Sequence, residues 1–199
     1  MIVLFCGYHG SGKTSCANYL SFVHEFRHYR LATTLKDMVR IGFGFTDAQL
    51  DGPEKDEVCS ELEVTPRQVL QFVGTELFQF ELQKLLPHLG RDFWLHRLTK
   101  ELRATRGEQN VVISDLRFVH ELDFIRRSFP KEQIVVVKLI RGSIVLQNNK
   151  THPSEDEHNK LLYNYIVPNN DGITELYAKM DQLVRLTPEC HLMHLIDIS

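Results

Sequence analysis

Gly7-Tyr8-His9-Gly10-Ser11-Gly12-Lys13-Thr14 satisfies the pattern G-x-x-x-x-G-K-[ST] at every fixed position. Glycines at these points let a short loop curl until its backbone N–H groups converge on an anion. A helix that starts where the loop ends adds the partial positive charge of its N-terminus. In such a loop Lys13 reaches the β- and γ-phosphates of a nucleoside triphosphate, and the Thr14 hydroxyl ligates the Mg²⁺ between them. The nucleotide-binding candidates are therefore Gly7, Gly10, Ser11, Gly12, Lys13, Thr14 and Ser15. The plain alternative is a glycine-rich turn with a solvated lysine. The flanks argue against it: Ile2 to Cys6 is an apolar run fit for a buried strand, and Ser15 to Phe26 suits a helix.

A second signal lies downstream. Val111-Val112-Ile113-Ser114-Asp115 reads as an apolar strand that ends in an acid. Its carboxylate suits metal-bound water beside Thr14, which makes Thr14 and Asp115 the candidate Mg²⁺ residues. Asp115 and Arg117 also admit a structural reading, as an ion pair. Lys36 either faces a ligand cleft or is solvated, and Arg67 is either a surface charge or a ligand residue. His152 and Glu155, in a polar stretch, are weaker candidates for an acid and a base, because phosphoryl transfer relies mainly on positioning and charge stabilisation.

These residues need elements to carry them. Leu31-Ala32-Thr33-Thr34 is a short second-strand candidate, followed by a helix through Leu35 and Val39 that breaks at Gly42-Phe43-Gly44-Phe45. Phe43 and Phe45 are expected in the core. The acidic stretch from Asp47 to Glu63, with Gly52-Pro53, reads as a loop or flexible insertion. Thr65-Pro66-Arg67-Gln68 has the marks of a helix start, with Thr65 as N-cap and proline in the first turn. Gly74-Thr75-Glu76 suggests a kink and restart, and Leu85-Leu86-Pro87 an end. Arg91-Asp92-Phe93-Trp94 opens another helix, with Trp94 in the core. Ile134 to Ile140 and Tyr165-Ile166-Val167 are further strands, and Ile173 to Leu186 is a closing amphipathic helix. The polar residues between Ser143 and Lys160 are where a lid over the phosphates, or an ordinary solvated loop, would sit.

The 199 residues suffice for one domain with a sizeable core. With 43% hydrophobic and 25% charged residues, the balance is that of an ordinary globular protein. A net charge of −3 argues against a dedicated nucleic-acid binder. Cys6, Cys16, Cys59 and Cys190 show no C-x-x-C pair, which points to reduced thiols in a cytosol-like compartment. Cys190-His191-x-x-His194 reads as an apolar tail with incidental ligating residues rather than a metal site. Neither a signal peptide nor a membrane-spanning run is expected.

In order, the segments resemble the deoxynucleoside monophosphate kinases of phage and viral type, in the adenylate-kinase-like branch of P-loop kinases. The matching stretches are Gly7 to Thr14, Ala32-x-x-Leu35-Lys36, Thr65 to Gln68, Gly74-Thr75-Glu76, Phe93-Trp94, Ile113 to Phe118 with Glu121, Arg141, His152-x-Ser154-Glu155, and Asn169 to Gly172. The resemblance implies an α/β fold with a five-stranded parallel sheet flanked by helices, formed by one domain over residues 1–199. It implies inserted acceptor-binding helices at about 34–106 and a lid at about 141–162. It further implies ATP and Mg²⁺ as cofactors, a deoxynucleoside monophosphate as acceptor, a possible homodimer, and a cytoplasmic setting (the host cytoplasm if viral), with no nucleic-acid or membrane partner. The site residues it implies are Lys13, Arg67, Asp115 and Arg117 for catalysis. For the acceptor they are Lys36, Arg67, Thr75, Glu76, Asp115 and Arg117, with Arg141 against the adenine or a phosphate of ATP. The family often carries arginine where this chain has Gln79. Kinases of phosphomevalonate, dephospho-coenzyme A or a sugar acid, and a nucleotide-dependent switch, are the competing readings.

Overall fold

Five parallel strands of the computed structural model form a sheet, which a sixth, two-residue strand extends at one edge. The structure describes residues 1–105, 109–145, 157–187 and 196–197. The strands are β1 (Ile2–Cys6), β2 (Arg27–Tyr29), β3 (Val111–Ile113), β4 (Ile134–Ile140), β5 (Tyr165–Pro168) and β6 (Ile196–Asp197), in the order β2-β3-β1-β4-β5-β6. β1 lies at the centre, with Leu4 level with Ile113 on one side and with Val136 on the other. Each residue of β1 is buried, as a strand covered on both faces requires. The five-stranded sheet expected from the resemblance is present, and β6 adds a strand from the tail.

Two compact units divide the chain. The first comprises Met1–Arg30 and Thr99–Ser199, and the second Leu31–Leu98. In the first, α1 (Lys13–Val23) follows β1, α6 (Val119–Ser128) joins β3 to β4, and α8 (Ile173–Leu186) follows β5. A four-residue helix, α7 (Gly142–Val145), follows β4. The core gathers Val3, Phe5, Leu20, Val137 and Val167 of the sheet and α1 with Leu176, Met180 and Leu183 of α8. Because all strands run parallel, their C-terminal ends share one edge of the sheet. Loops leaving that edge carry residues 7–12, 114–118, 141 and 169–172, the usual place for a ligand in an open α/β sheet.

The second unit is helical: α2 (Thr33–Phe43), α3 (Asp47–Leu50), a 3₁₀ turn at Pro53–Asp56 and α4 (Pro66–Gln71). α4 runs on as a π-helix over Phe72–Glu81, and α5 (Phe93–Thr105) begins in this unit and ends in the first. Val39, Phe45, Leu50, Val69, Leu70 and Val73 form its core. The expected start of α4 is present in full. Thr65 Oγ1 accepts from Gln68 N–H at 3.2 Å, and Gln68 Oε1 accepts from Thr65 N–H at 2.8 Å.

Several expectations are corrected. The second strand is Arg27–Tyr29, while Thr33 already opens α2. The stretch from Asp47 to Glu63 is folded: α3 has its own capping box at Thr46, Leu50 is fully buried, and Cys59 bridges Val64. The π-helix stands where a kink was expected. Phe45 is in the core, but Phe43 is 45% exposed and only stacks on it. Trp94 is buried as expected. His152, Ser154, Glu155, Cys190, His191 and His194 lie outside the described residues.

Candidate functional site

In the first unit the loop after β1 has three left-handed glycines, Gly7, Gly10 and Gly12, with φ of 134°, 79° and 103°. The hydrogen-bond ladder of α1 begins with Cys16 N–H donating to Gly12 O at 3.0 Å, so Lys13, Thr14 and Ser15 sit at the positive end of the helix. Lys13 Nζ donates to Gly7 O at 2.7 Å, Tyr8 O at 2.6 Å and Ser11 Oγ at 3.4 Å. Its ammonium is thus seated on the loop's own oxygens. Ser11 is buried and Thr14 is exposed.

Neighbouring strands brace this loop. Asn169, at the end of β5, donates from Nδ2 to Ser11 O at 3.0 Å and from its backbone N–H to Ile140 O at 2.7 Å. A Cβ on Gly12 would stand 2.6 Å from that same Nδ2, and one on Gly7 would meet Leu139 O. Arg141 is exposed and reaches Gly10 O at 3.5 Å. Cys6 and Cys16 flank the loop, but burial pushes both thiols up to about 12, which leaves them protonated and unreactive.

Asp115 and Arg117 leave the same edge one strand away. Leu116 N–H donates to Phe5 O at 3.2 Å, tying their turn to the end of β1. The buried Glu121 carboxylate holds the turn from below, accepting from Arg117 N–H at 2.8 Å and Phe118 N–H at 3.0 Å through Oε2. Burial pushes Glu121 up to about 7, against the pull of those two N–H groups. At the end of β3, His28 Nε2 shares a 2.7 Å hydrogen bond with Ser114 Oγ, and Nδ1 a 3.1 Å one with Asn18 Oδ1. Burial lowers His28 to about 4, so the ring is neutral: Nδ1–H donates to Asn18 and Nε2 accepts from the serine.

Glu121 has a consequence for stability. An acid whose pKa is raised in the folded state keeps its proton there while the unfolded chain releases it. Stability therefore falls as pH rises from the ordinary value of 4.5 to about 7, by about 3 kcal/mol at most. Glu121→Gln keeps an acceptor for both N–H groups and removes the titration. Its denaturant midpoint should vary less between pH 4.5 and pH 7 than the wild-type midpoint does.

In the second unit Arg67 is buried and clamps Asp56 with two prongs, Nε to Oδ1 at 2.6 Å and Nη2 to Oδ2 at 2.9 Å. Lys36 Nζ is paired with Asp51 Oδ1. Thr75 is buried in the π-helix and Glu76 is half-buried. This helix is pinned where Trp94 Nε1–H donates to Gly74 O at 2.9 Å, and a Cβ at Gly74 would stand 2.6 Å from Leu35 Cδ2.

The donor set suits Mg²⁺. A threonine hydroxyl and a carboxylate are hard oxygen ligands for a cation that keeps several waters and takes the rest of its shell from phosphate. Among the described residues, three or more His, Cys, Asp or Glu side chains nowhere form a group able to hold a metal by themselves. No helix among them is long and apolar enough to cross a membrane.

Comparison with known proteins adds the relatives. A protein of Acanthamoeba polyphaga mimivirus, described as "Putative deoxynucleotide monophosphate kinase", is 30% identical over 187 residues, covering 90% of this chain and 94% of its own. The chain belongs to the deoxynucleotide monophosphate kinase family. No family model matches it. The dephospho-CoA kinase of Campylobacter jejuni superposes with a TM-score of 0.52 at 10% identity, covering 96% of this chain and 98% of that one. A sugar kinase from Janibacter sp. HTCC2649 gives 0.47 at 12% identity, covering 94% and 96%. At such low identity the dephospho-CoA kinase bears on the fold alone, which is the α/β fold of P-loop kinases.

Gln79 is the position at which the resemblance leads one to expect an arginine. It is buried, and its Oε1 accepts from Arg91 Nη2 at 3.0 Å. The bracing of the loop by Asn169 escaped the sequence reading, because its partner Ser11 is remote in sequence and no local pattern marks the contact. For Gly12, the left-handed φ and the nearby Asn169 amide predict that Gly12→Ala displaces the loop. ATP affinity should fall on the order of a hundredfold, as measured by equilibrium binding with Mg²⁺.

Proposed function

We propose that the protein transfers the γ-phosphate of ATP to a deoxynucleoside monophosphate, giving the diphosphate. One observation carries this reading: the similarity to the mimivirus protein extends over nearly the whole of both chains, not over the phosphate loop alone. Gly7 to Ser15 and Arg141 hold the donor nucleotide. Lys13 leaves the carbonyls of Gly7 and Tyr8 for the phosphate oxygens, exchanging neutral acceptors for charged ones. Thr14 and Asp115 would hold Mg²⁺, which would supply charge neutralisation for the phosphates of ATP.

On the acceptor side, Lys36 and Arg67 take the monophosphate, Thr75 and Glu76 contact the nucleoside, and Arg117 neutralises charge on the group in transfer. The lid expected at about 141–162, of which residues 146–156 lie outside the described ones, would exclude water, since water would otherwise take the phosphoryl group. No covalent intermediate is required. The oxygen of the acceptor phosphate attacks the γ-phosphorus, the bond to the β-bridging oxygen breaks, and ADP leaves. The test is turnover with Mg-ATP against dAMP, dGMP, dCMP, dTMP, the ribonucleotides, dephospho-coenzyme A and a sugar acid. Preference for one or more deoxynucleotides supports the assignment, and preference for a non-nucleotide acceptor overturns it.

A further inference from the structure

The two acceptor-side cations of the second unit share a feature that ordinary surface charges lack. Each is nearly closed off by protein, and each is covered by a more exposed carboxylate from the same short stretch. The Arg67 side chain is 9% exposed and its partner Asp56 58%, while Lys36 is 15% exposed and Asp51 46%. Asp51 caps the C-terminus of α3, and Asp56 ends the 3₁₀ turn that follows. Arg40 in the same unit shows the contrast. At 39% exposure it pairs with Asp37 and Asp47 as a surface charge does.

The geometry at Arg67 is the fork-to-carboxylate arrangement, which is also how a guanidinium takes two oxygens of a phosphate. We propose that Asp51 and Asp56 are affinity- and specificity-determining residues that occupy Lys36 and Arg67 as internal stand-ins for the acceptor phosphate. The inference rests on the reading of those two cations as acceptor-binding. An incoming phosphate monoester must displace both carboxylates, so its apparent affinity is its intrinsic affinity reduced by the fraction of time the cations are available. A dianion can make that exchange. A neutral nucleoside has nothing to offer either cation and leaves the carboxylates in place, so the stretch discriminates by phosphorylation state. The opposite role predicts the opposite sign: if Asp56 served to orient the Arg67 fork for phosphate, its removal would weaken acceptor binding.

The experiment uses the full chain and the variants Asp56→Asn, Asp51→Asn and Asp37→Asn. Each is titrated at physiological salt, without ATP, with the preferred deoxynucleotide and separately with inorganic phosphate. Loss of competition should tighten both probes on the order of tenfold in Asp56→Asn and less in Asp51→Asn, whose lysine is a point charge without a fork. Asp37→Asn, which removes the same charge from a surface pair, should leave both unchanged. Unchanged or weaker binding of both probes in folded Asp56→Asn and Asp51→Asn overturns the proposal. So does equal tightening in Asp37→Asn, which would make the effect one of net charge. Inorganic phosphate separates the two readings. Tightening toward phosphate without turnover of any deoxynucleotide keeps the stand-in role and overturns the acceptor assignment. Deoxynucleotide turnover with no tightening in either variant does the reverse.

Discussion

Lys13→Ala should abolish phosphoryl transfer, with a loss of at least about a thousandfold in kcat, and leave the protein folded. In the structure the ammonium makes three hydrogen bonds to oxygens of its own loop. It is half-buried, and water can replace it on those acceptors, so the loss of stability should stay near about 1 kcal/mol. The catalytic loss should be larger because, in the proposed role, the lysine's charge acts on phosphate oxygens, where few other groups can replace it. Single-turnover transfer read beside a thermal melt separates the two effects. Near-normal transfer by a folded Lys13→Ala protein would mean that the loop does not hold the donor.

Arg67→Ala should lower kcat/KM for the acceptor by about a thousandfold while leaving the KM for ATP within about twofold. Arg67→Lys should recover little of this, because one ammonium cannot present the two parallel N–H groups that the fork shows toward Asp56. Stability should fall as well, because Arg67 is buried and its stem packs in the unit, although Asp56 at 58% exposure is hydrated rather than stranded once its partner is gone. Steady-state kinetics with each substrate varied in turn provide the check. A loss confined to the ATP side would move Arg67 from the acceptor to the donor.

Sequence alone made the sheet legible where residues are apolar over several positions. β1 and β3 are continuously apolar and buried, and β4 is apolar and largely buried apart from Lys138, so each stands out as a strand. Helix α4 was equally plain, because its capping box is local chemistry at Thr65 and Gln68. β2 was not legible. Arg27-His28-Tyr29 has no apolar run, and it is a strand because β3 offers it a register from Val111 to Ile113. Thr33 and Thr34, β-branched and suggestive of a strand, instead begin a helix that the packing of Val39 decides. The acidic stretch from Asp47 to Glu63 looked unstructured because Gly52-Pro53 and its charges outweighed a local signal, the Thr46–Gln49 capping box, while the burial of Leu50 and the Arg67 clamp on Asp56 appear only in the fold. Glu121 was visible as a residue but not as a buried acid, since only the fold removes water from it.

In the proposed reaction the γ-phosphate moves to a deoxynucleoside monophosphate. The most direct measurement incubates the purified protein with Mg²⁺, γ-labelled ATP and each deoxynucleotide in turn, and follows where the label goes. Label is expected in a deoxynucleoside diphosphate, formed in step with ADP and absent from Lys13→Ala. Label released only as inorganic phosphate, at a rate indifferent to every monophosphate supplied, would contradict it.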